Sequence, residues 1–127
     1  MKLRIRDSSI RLRLTQGEVE QVRASGLVRG RTRFPGSYSF DYVLESSPAT
    51  VKPEAHMSSN VLTVRVPQLD IAGWADSDKI SIAAKQDLGD GEELTILVEK
   101  DFACLAPREG EDESDMFPNP RTGAEQC

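Results

Sequence analysis

Seven arginines occupy alternate positions in the first part of the chain, and they are the residues best suited to bind a ligand. They are Arg4, Arg6, Arg11, Arg13, Arg29, Arg31 and Arg33. The planar guanidinium group binds phosphate and carboxylate groups through two parallel hydrogen bonds. If the three segments that carry these arginines are neighbouring strands, all seven share one anion-binding surface. The alternative is a solvated polar face, which alternation produces whenever only one side of a sheet is buried.

The spacing of apolar residues predicts the elements that position these arginines. Alternation predicts strands over residues 2–6, 10–14, 27–34, 38–45, 54–57, 61–66, 80–85 and 94–101. A capping box of Thr15 and Glu18 starts a helix over residues 16–25, and Pro67 precedes a second helix over residues 68–74. The result is an α+β fold with a curled or barrel-like, mostly antiparallel sheet of seven to eight strands and two short helices. No repeat with a period of about 20 to 50 residues is visible.

The composition fits one globular domain with a tail. Hydrophobic residues make up 38% and charged residues 29% of the 127 residues, which is typical of a packed fold. We predict a domain over residues 1–105 and an acidic, proline-containing tail over residues 106–127. The first 36 residues carry nine Lys and Arg against three acids, about +6, and the remainder carries seven against 18, about −11. A partner would therefore meet regions of opposite charge.

The sequence also indicates a cellular location and excludes some partners. Charged residues interrupt the first apolar residues, unlike the core of a signal peptide, and no stretch has the roughly 20 apolar residues of a membrane helix. We therefore predict a cytoplasmic protein with no membrane partner. A net charge of −5, with Tyr38, Phe40 and Tyr42 on the predicted core face, argues against nucleic-acid binding.

No catalytic residue, metal site or cofactor is predicted. Cys104 follows the last predicted strand, where a buried free thiol is the common case. As a nucleophile it would need a base, and the only histidine is His56, in a proline-flanked segment. Cys104, Cys127 and His56 also lack the clustered spacing of metal ligands.

The C-terminal tail combines acids with an aromatic residue among prolines. The acidic run in the tail consists of Glu109, Glu111, Asp112, Glu113 and Asp115. Their spacing does not match a calcium-binding loop, and such a run is often a solvated segment. Because Phe117 follows them beside Pro118, we predict that Phe117 anchors the tail while its acids lie on the arginine face, as a structural strap or a displaceable lid.

Two resemblances bear on function. The stretches KLRIRDSSIRLRLTQGEVEQV, VRVPQLDIAGW and LVEKDFACLAPREGEDESDMFPNP resemble a family of short uncharacterised bacterial proteins, which implies a cytosolic bacterial protein and no known activity. If the sheet closed with its arginines inside, beside Glu45, Lys85 and Glu99, it would resemble the basic tunnel of triphosphate-binding hydrolases such as thiamine triphosphatases. Those enzymes carry Glu-x-Glu-x-Lys near the start, whereas this chain reads KLRIR.

The sequence leaves two functions open. The first is a noncatalytic binding or interaction module whose arginine face engages an acidic protein or the chain's own tail. The second is an enzyme that acts on a phosphorylated small molecule, with the arginines holding the substrate and Glu99 or Asp101 as metal ligands. An arginine cluster inside a concave pocket would favour the enzyme, and an open, exposed arginine face would favour the module.

Overall fold

The secondary structure consists of eight strands and two α-helices in the described part of the chain. The computed structural model describes residues 1–103 and 114–118. The elements in chain order are β1 (Lys2–Arg6), β2 (Ser9–Leu14), α1 (Gln16–Ser25), β3 (Leu27–Phe34), β4 (Tyr38–Ser47), β5 (Glu54–Ser58), β6 (Val61–Pro67), α2 (Gln68–Ala75), β7 (Ser81–Gly89) and β8 (Glu92–Lys100). The predicted α+β class is confirmed, with eight strands and two helices. The predicted tail, 106–127, is described only at residues 114–118, and Cys104 and Cys127 lie outside the described residues.

The strands form two four-stranded sheets. The first sheet has the order β1-β2-β8-β7 and the second has the order β3-β4-β6-β5. Four strand pairs are antiparallel, but the two central pairs, β2 with β8 and β4 with β6, are parallel. Within the described residues the strands do not close into a barrel, so the barrel-like sheet is not confirmed.

One hydrophobic core joins both sheets and both helices. Its buried members come from the apolar phase of the strands and from the inner sides of the helices: Ile10, Leu12, Leu14, Val19, Val22, Val28, Leu44, Leu62, Val64, Val66, Ile71, Trp74, Ile82, Ile96 and Val98. Phe40 and Tyr42 pack against this core, as predicted. Tyr38 is exposed, because it is the first residue of β4, directly after the turn of the β3-β4 hairpin. Because the apolar side chains of the strands point into the shared core, the polar side chains on the opposite side of each sheet face outward.

Local sequence signals start and end the helices. The Thr15 hydroxyl accepts the backbone N–H of Glu18, and the Glu18 carboxylate accepts the backbone N–H of Thr15, which confirms the predicted capping box. Gly26 ends α1 with φ of 83°, a conformation that glycine adopts without the strain of a Cβ atom. In α2, Trp74 is fully buried, and its indole N–H donates to the carbonyl of Ile80 at 2.9 Å.

The fold is an internal duplication with exchanged hairpins. Each half, residues 2–47 and residues 54–100, contains a hairpin, a helix and a second hairpin. The first hairpin of each half pairs, through a parallel contact, with the second hairpin of the other half. Corresponding positions carry matching ion pairs, because Arg13 is opposite Glu99 in one sheet and Arg65 is opposite Glu45 in the other. Neither sheet can therefore form from one half alone.

Candidate anion-binding site

The outer face of the first sheet carries six cations around one carboxylate, and we call it the cationic face. The strand register places Lys2, Arg13 and Glu99 in one row, Arg4 and Arg11 in the next, and Arg6 and Lys85 in the third. All these residues are on the outward phase of their strands. The predicted binding residues do not include Lys2 and Lys85, although both lysines lie on the polar side of their strands, as the predicted arginines do.

One buried carboxylate neutralises part of this face. Glu99, with 14% of its side chain exposed, receives Arg11 Nε at 2.9 Å and Arg13 Nε at 2.8 Å on the same oxygen. Lys2 Nζ lies 3.3 Å from the Asp101 carboxylate at the end of β8. The carboxylates that the enzyme hypothesis assigns to metal binding are therefore both engaged by cations.

Arg4 and Arg6 make no ion pair or side-chain hydrogen bond with another described residue. Together with Arg11 they line a shallow, open depression of about 280 Å³, whose floor includes Thr95 and Leu97. Arg4 lies directly opposite Arg11 across the β1-β2 pair. Like charges in directly opposed positions destabilise a sheet. Glu99 offsets the charge of Arg11, so the positive charge that no described carboxylate offsets is that of Arg4 and Arg6.

The other three predicted arginines lie on the second sheet. Arg29, Arg31 and Arg33 project from the edge strand β3, which pairs with β4 and not with β1 or β2. The prediction of one surface shared by seven arginines is therefore wrong. Alternation fixes which face of a strand a side chain occupies, but it does not fix which strand lies next to it.

The second sheet offsets most of its own positive charge. The Asp41 carboxylate receives Arg31 Nε at 2.8 Å and lies 3.6 Å from Arg29 Nη1. Arg65 pairs with Glu45 at 3.1 Å and approaches Glu54 at 4.0 Å. We therefore assign the candidate site to the cationic face of the first sheet alone.

Acidification should remove the contribution of Asp41 to stability. The hydrogen bond from Arg31 holds the pKa of Asp41 below its usual value, against an opposing effect of burial under the arginine side chains. Its stabilisation is therefore present above the unfolded-state pKa of about 3.9 and is lost as the pH falls through the lower folded-state pKa. We expect Asp41→Asn to be less stable than the wild type at pH 7, with the two urea-unfolding curves converging in acid.

The control for this prediction is Asp70→Asn, the same change at an exposed position in the first turn of α2. Its difference from the wild type at pH 7 should be smaller than that of Asp41→Asn, because Asp70 makes no ion pair with another described residue. An Asp41→Asn difference that does not shrink as the pH falls below about 3.9 would contradict the assignment, because protonation of Asp41 should remove its contribution to the stability of the wild type.

Residues 114–118 of the tail are docked between the first sheet and α1. Backbone hydrogen bonds join the Phe117 N–H to the Asp101 carbonyl and the Ala103 N–H to the Phe117 carbonyl. The Phe117 ring lies 5.6 Å from the ring of Phe102, and Lys100 Nζ lies 5.4 Å from its centroid. Burial lowers the pKa of Lys100, whose ammonium also donates to the Ser77 carbonyl at 2.7 Å.

The same segment contacts the start of α1. The backbone N–H of Gln16 donates to the Asp115 carbonyl at 3.0 Å, and the Gln16 amide donates to the Met116 carbonyl at 3.0 Å. The Gly17 N–H donates to the Asp115 carboxylate at 3.3 Å. A negative charge is favourable here, because the N-terminus of a helix carries a partial positive charge. Glu109, Glu111, Asp112 and Glu113 lie outside the described residues, so their predicted placement on the arginine face stays a prediction.

Replacing Phe117 by alanine should destabilise the protein by about 1–2 kcal/mol. This value is the lower part of the range for burying a large apolar side chain, because Phe117 is only partly buried. Phe34→Ala is the matched control, since Phe34 is 53% exposed, and it should change stability by less than about 0.5 kcal/mol. Equal urea midpoints for the two variants would show that the Phe117 ring does not hold the tail.

A family model described as a family of unknown function, DUF7009, matches residues 1–121. The chain belongs to this family. The predicted membership of an uncharacterised family is thereby confirmed. No curated protein and no solved structure matches the chain. The family brings no activity, so the function must be argued from the chain's own residues.

Of the remaining chemical candidates, Cys104, Cys127 and His56, only His56 lies in the described part of the chain. His56 lies on the edge strand β5, opposite Thr63 of β6. Among residues 1–103 and 114–118, no three His, Cys, Asp or Glu side chains come close enough together to hold a metal ion. Neither of the described helices has the length and apolar character needed to cross a membrane.

Proposed function

We propose that the protein is a noncatalytic binding module whose cationic face binds an acidic polypeptide. The observation that carries this proposal is the opposition of like charges at Arg4 and Arg11. Such a pair works against folding, and among the described residues only Arg11 of the two has a carboxylate partner, Glu99. A bound acidic segment would offset the remaining charge.

The charge distribution supports an oriented encounter with such a partner. The chain carries a net charge of −5, yet six of its cations lie on one sheet face. The net negative charge of the chain repels an acidic partner, whereas the cationic face attracts it, so the electrostatic field guides its approach. Acidic sequences therefore have one favoured docking position.

The open shape of the face favours binding over catalysis. The depression beside Arg4 and Arg6 is shallow and open to solvent, whereas catalytic sites usually surround their substrate and exclude water. An enzyme acting on a phosphorylated small molecule remains the second candidate, because Arg4, Arg6 and Arg11 converge on a depression that a phosphate group could enter. It would also need catalytic groups, and Glu99 and Asp101 are already paired with cations.

Binding of fluorescein-labelled polyglutamate, measured by fluorescence anisotropy, tests the proposal. We expect saturable binding at low salt that weakens at least tenfold between about 0.05 M and 0.5 M NaCl, because salt screens exposed charges. Polylysine of the same length is the control and should not bind to the cationic face. Absence of polyglutamate binding at low salt would overturn the proposal.

The second candidate is tested on the same protein with inorganic triphosphate and Mg²⁺. Release of phosphate, with a rate that depends on protein concentration, would support the enzyme and replace the proposed function. A thermal shift without phosphate release would show anion binding alone. A ligand at about 100 times its dissociation constant adds about 2.7 kcal/mol, which moves the melting temperature of a domain of this size by several degrees.

A further inference from the structure

The cationic face ends at a strand whose outer edge is unpaired. β1 is an edge strand that pairs with β2 alone among the described residues, and it carries Arg4 and Arg6. The opposite edge of the sheet, β7, is tied to β5 by the Gln86 amide, which accepts the Ala55 N–H at 2.7 Å and donates to the Ala55 carbonyl at 3.3 Å. Of the two edges of this sheet, β1 is therefore the one that can accept another strand.

The inner side of β1 is an incomplete apolar row. Ile5 lies opposite Ile10 of β2, which in turn lies beside Ile96 of β8, and the last two are core residues. Ile5 is 58% exposed, since no other strand of the described residues lies beyond it. One more strand beside β1 would place an apolar side chain next to Ile5 and extend the row.

We propose that the acidic partner binds as an added strand along β1, through an extended segment in which acidic and apolar residues alternate. This inference rests on the proposed function and specifies its ligand. Successive side chains of a strand point to opposite faces of a sheet, so the acids would lie beside Arg4 and Arg6 while the apolar residues would lie beside Ile5. Backbone hydrogen bonds to β1 supply affinity, and the alternation fixes the register.

The charges on β1 also exclude a second copy of this chain as the added strand. Pairing of two β1 strands would place Lys2, Arg4 and Arg6 near their own equivalents, and like charges in opposed positions are unfavourable. Charged side chains at sheet edges prevent such self-association. An acidic strand of another protein is the occupant that fits both the charge and the free edge.

Peptides of equal composition but different order test the inference. The probes are a capped octapeptide of alternating Glu and Val and a capped octapeptide with four Glu followed by four Val. We expect the alternating peptide to bind at least tenfold more tightly, and to slow the hydrogen exchange of amide protons in β1 but not in β5. Equal affinities without protection of β1 would overturn strand addition.

N-methylation of the alternating peptide tests the backbone bonds directly. Backbone N–H groups of a strand point alternately to its two edges, so methylation at every Glu blocks one edge and methylation at every Val blocks the other. One version should lose binding and the other should keep it. Retention of binding by both versions would show that no ladder of hydrogen bonds forms.

Ile5→Thr tests the apolar row, and the duplication offers a matched control. Met57 occupies the corresponding position on β5 and is equally exposed, at 57%. Ile5→Thr should weaken binding of the alternating peptide at least fivefold and leave binding of polyglutamate unchanged, whereas Met57→Thr should change neither.

If polyglutamate binds but peptide order and Ile5 have no effect, strand addition fails while the proposed function stands. If polyglutamate does not bind either, both fail.

Discussion

Reversing the charge of Arg4 and Arg6 to glutamate should abolish binding of acidic polypeptides without destabilising the protein. Neither guanidinium makes an ion pair with another described residue, so their removal breaks no such contact. A glutamate at position 4 would lie opposite Arg11 and replace a repulsive cross-strand pair with an attractive one. Cross-strand charge pairs contribute roughly 0.2–1 kcal/mol, so the variant should melt at the same or a higher temperature than the wild type.

The effect on binding should be large because each substitution changes the charge by two units. At contact distance in water, a pair of unit charges contributes about 1 kcal/mol. The two substitutions together change the charge by four units. Screening by salt lowers their total effect on the binding free energy to about 3 kcal/mol, which corresponds to a loss of affinity of about 100-fold. Anisotropy with labelled polyglutamate at low salt measures this loss, and urea unfolding of the same samples measures stability.

The matched control is Arg29→Glu with Arg33→Glu on the second sheet. It makes the same change in net charge on the outer phase of β3, so any effect of overall charge is common to both variants. We expect the control to bind polyglutamate within about threefold of the wild type. Equal losses in the two double variants would mean that net charge, and not the cationic face, determines binding.

The sequence predicts the elements well because their signals are local. Period-two alternation identifies each strand on its own, and the reciprocal hydrogen bonds of Thr15 and Glu18 fix the start of α1. The β1-β2 hairpin is likewise set by a short turn at Asp7, whose φ is 47°. The arginines of these two strands were therefore correctly placed on one face.

The sheet assignment could not be predicted, because it depends on contacts between distant parts of the chain. The parallel pairs β2-β8 and β4-β6 join segments from different halves, and no local pattern encodes them. For this reason Arg29, Arg31 and Arg33 were grouped with arginines that lie on another sheet. The repeated order of elements is not evident in the sequence, because few corresponding residues of the two halves are identical, among them Arg13 with Arg65 and Glu45 with Glu99.

Replacing Trp74 by alanine should cost about 3–5 kcal/mol and weaken both sheets together. Trp74 is fully buried in the core that joins the two sheets, and its loss would leave a cavity and remove the hydrogen bond from the indole N–H to the Ile80 carbonyl. Because the two sheets pack on this one core, the unfolding of one sheet would expose the apolar side of the other. We expect a single cooperative urea transition, with a lower midpoint, whether it is followed by circular dichroism or by hydrogen exchange in β3 and β8.

Two variants separate the contributions of Trp74. Trp74→Phe keeps most of the apolar volume but removes the indole donor, so it should lose clearly less than Trp74→Ala. Leu69→Ala changes an 85% exposed residue of the same helix and should lie within about 0.5 kcal/mol of the wild type. Two separate transitions in Trp74→Ala would show that the sheets fold independently. A single transition would mean that the common core stabilises both sheets together and therefore also holds β1 and β2 paired against the repulsion between Arg4 and Arg11.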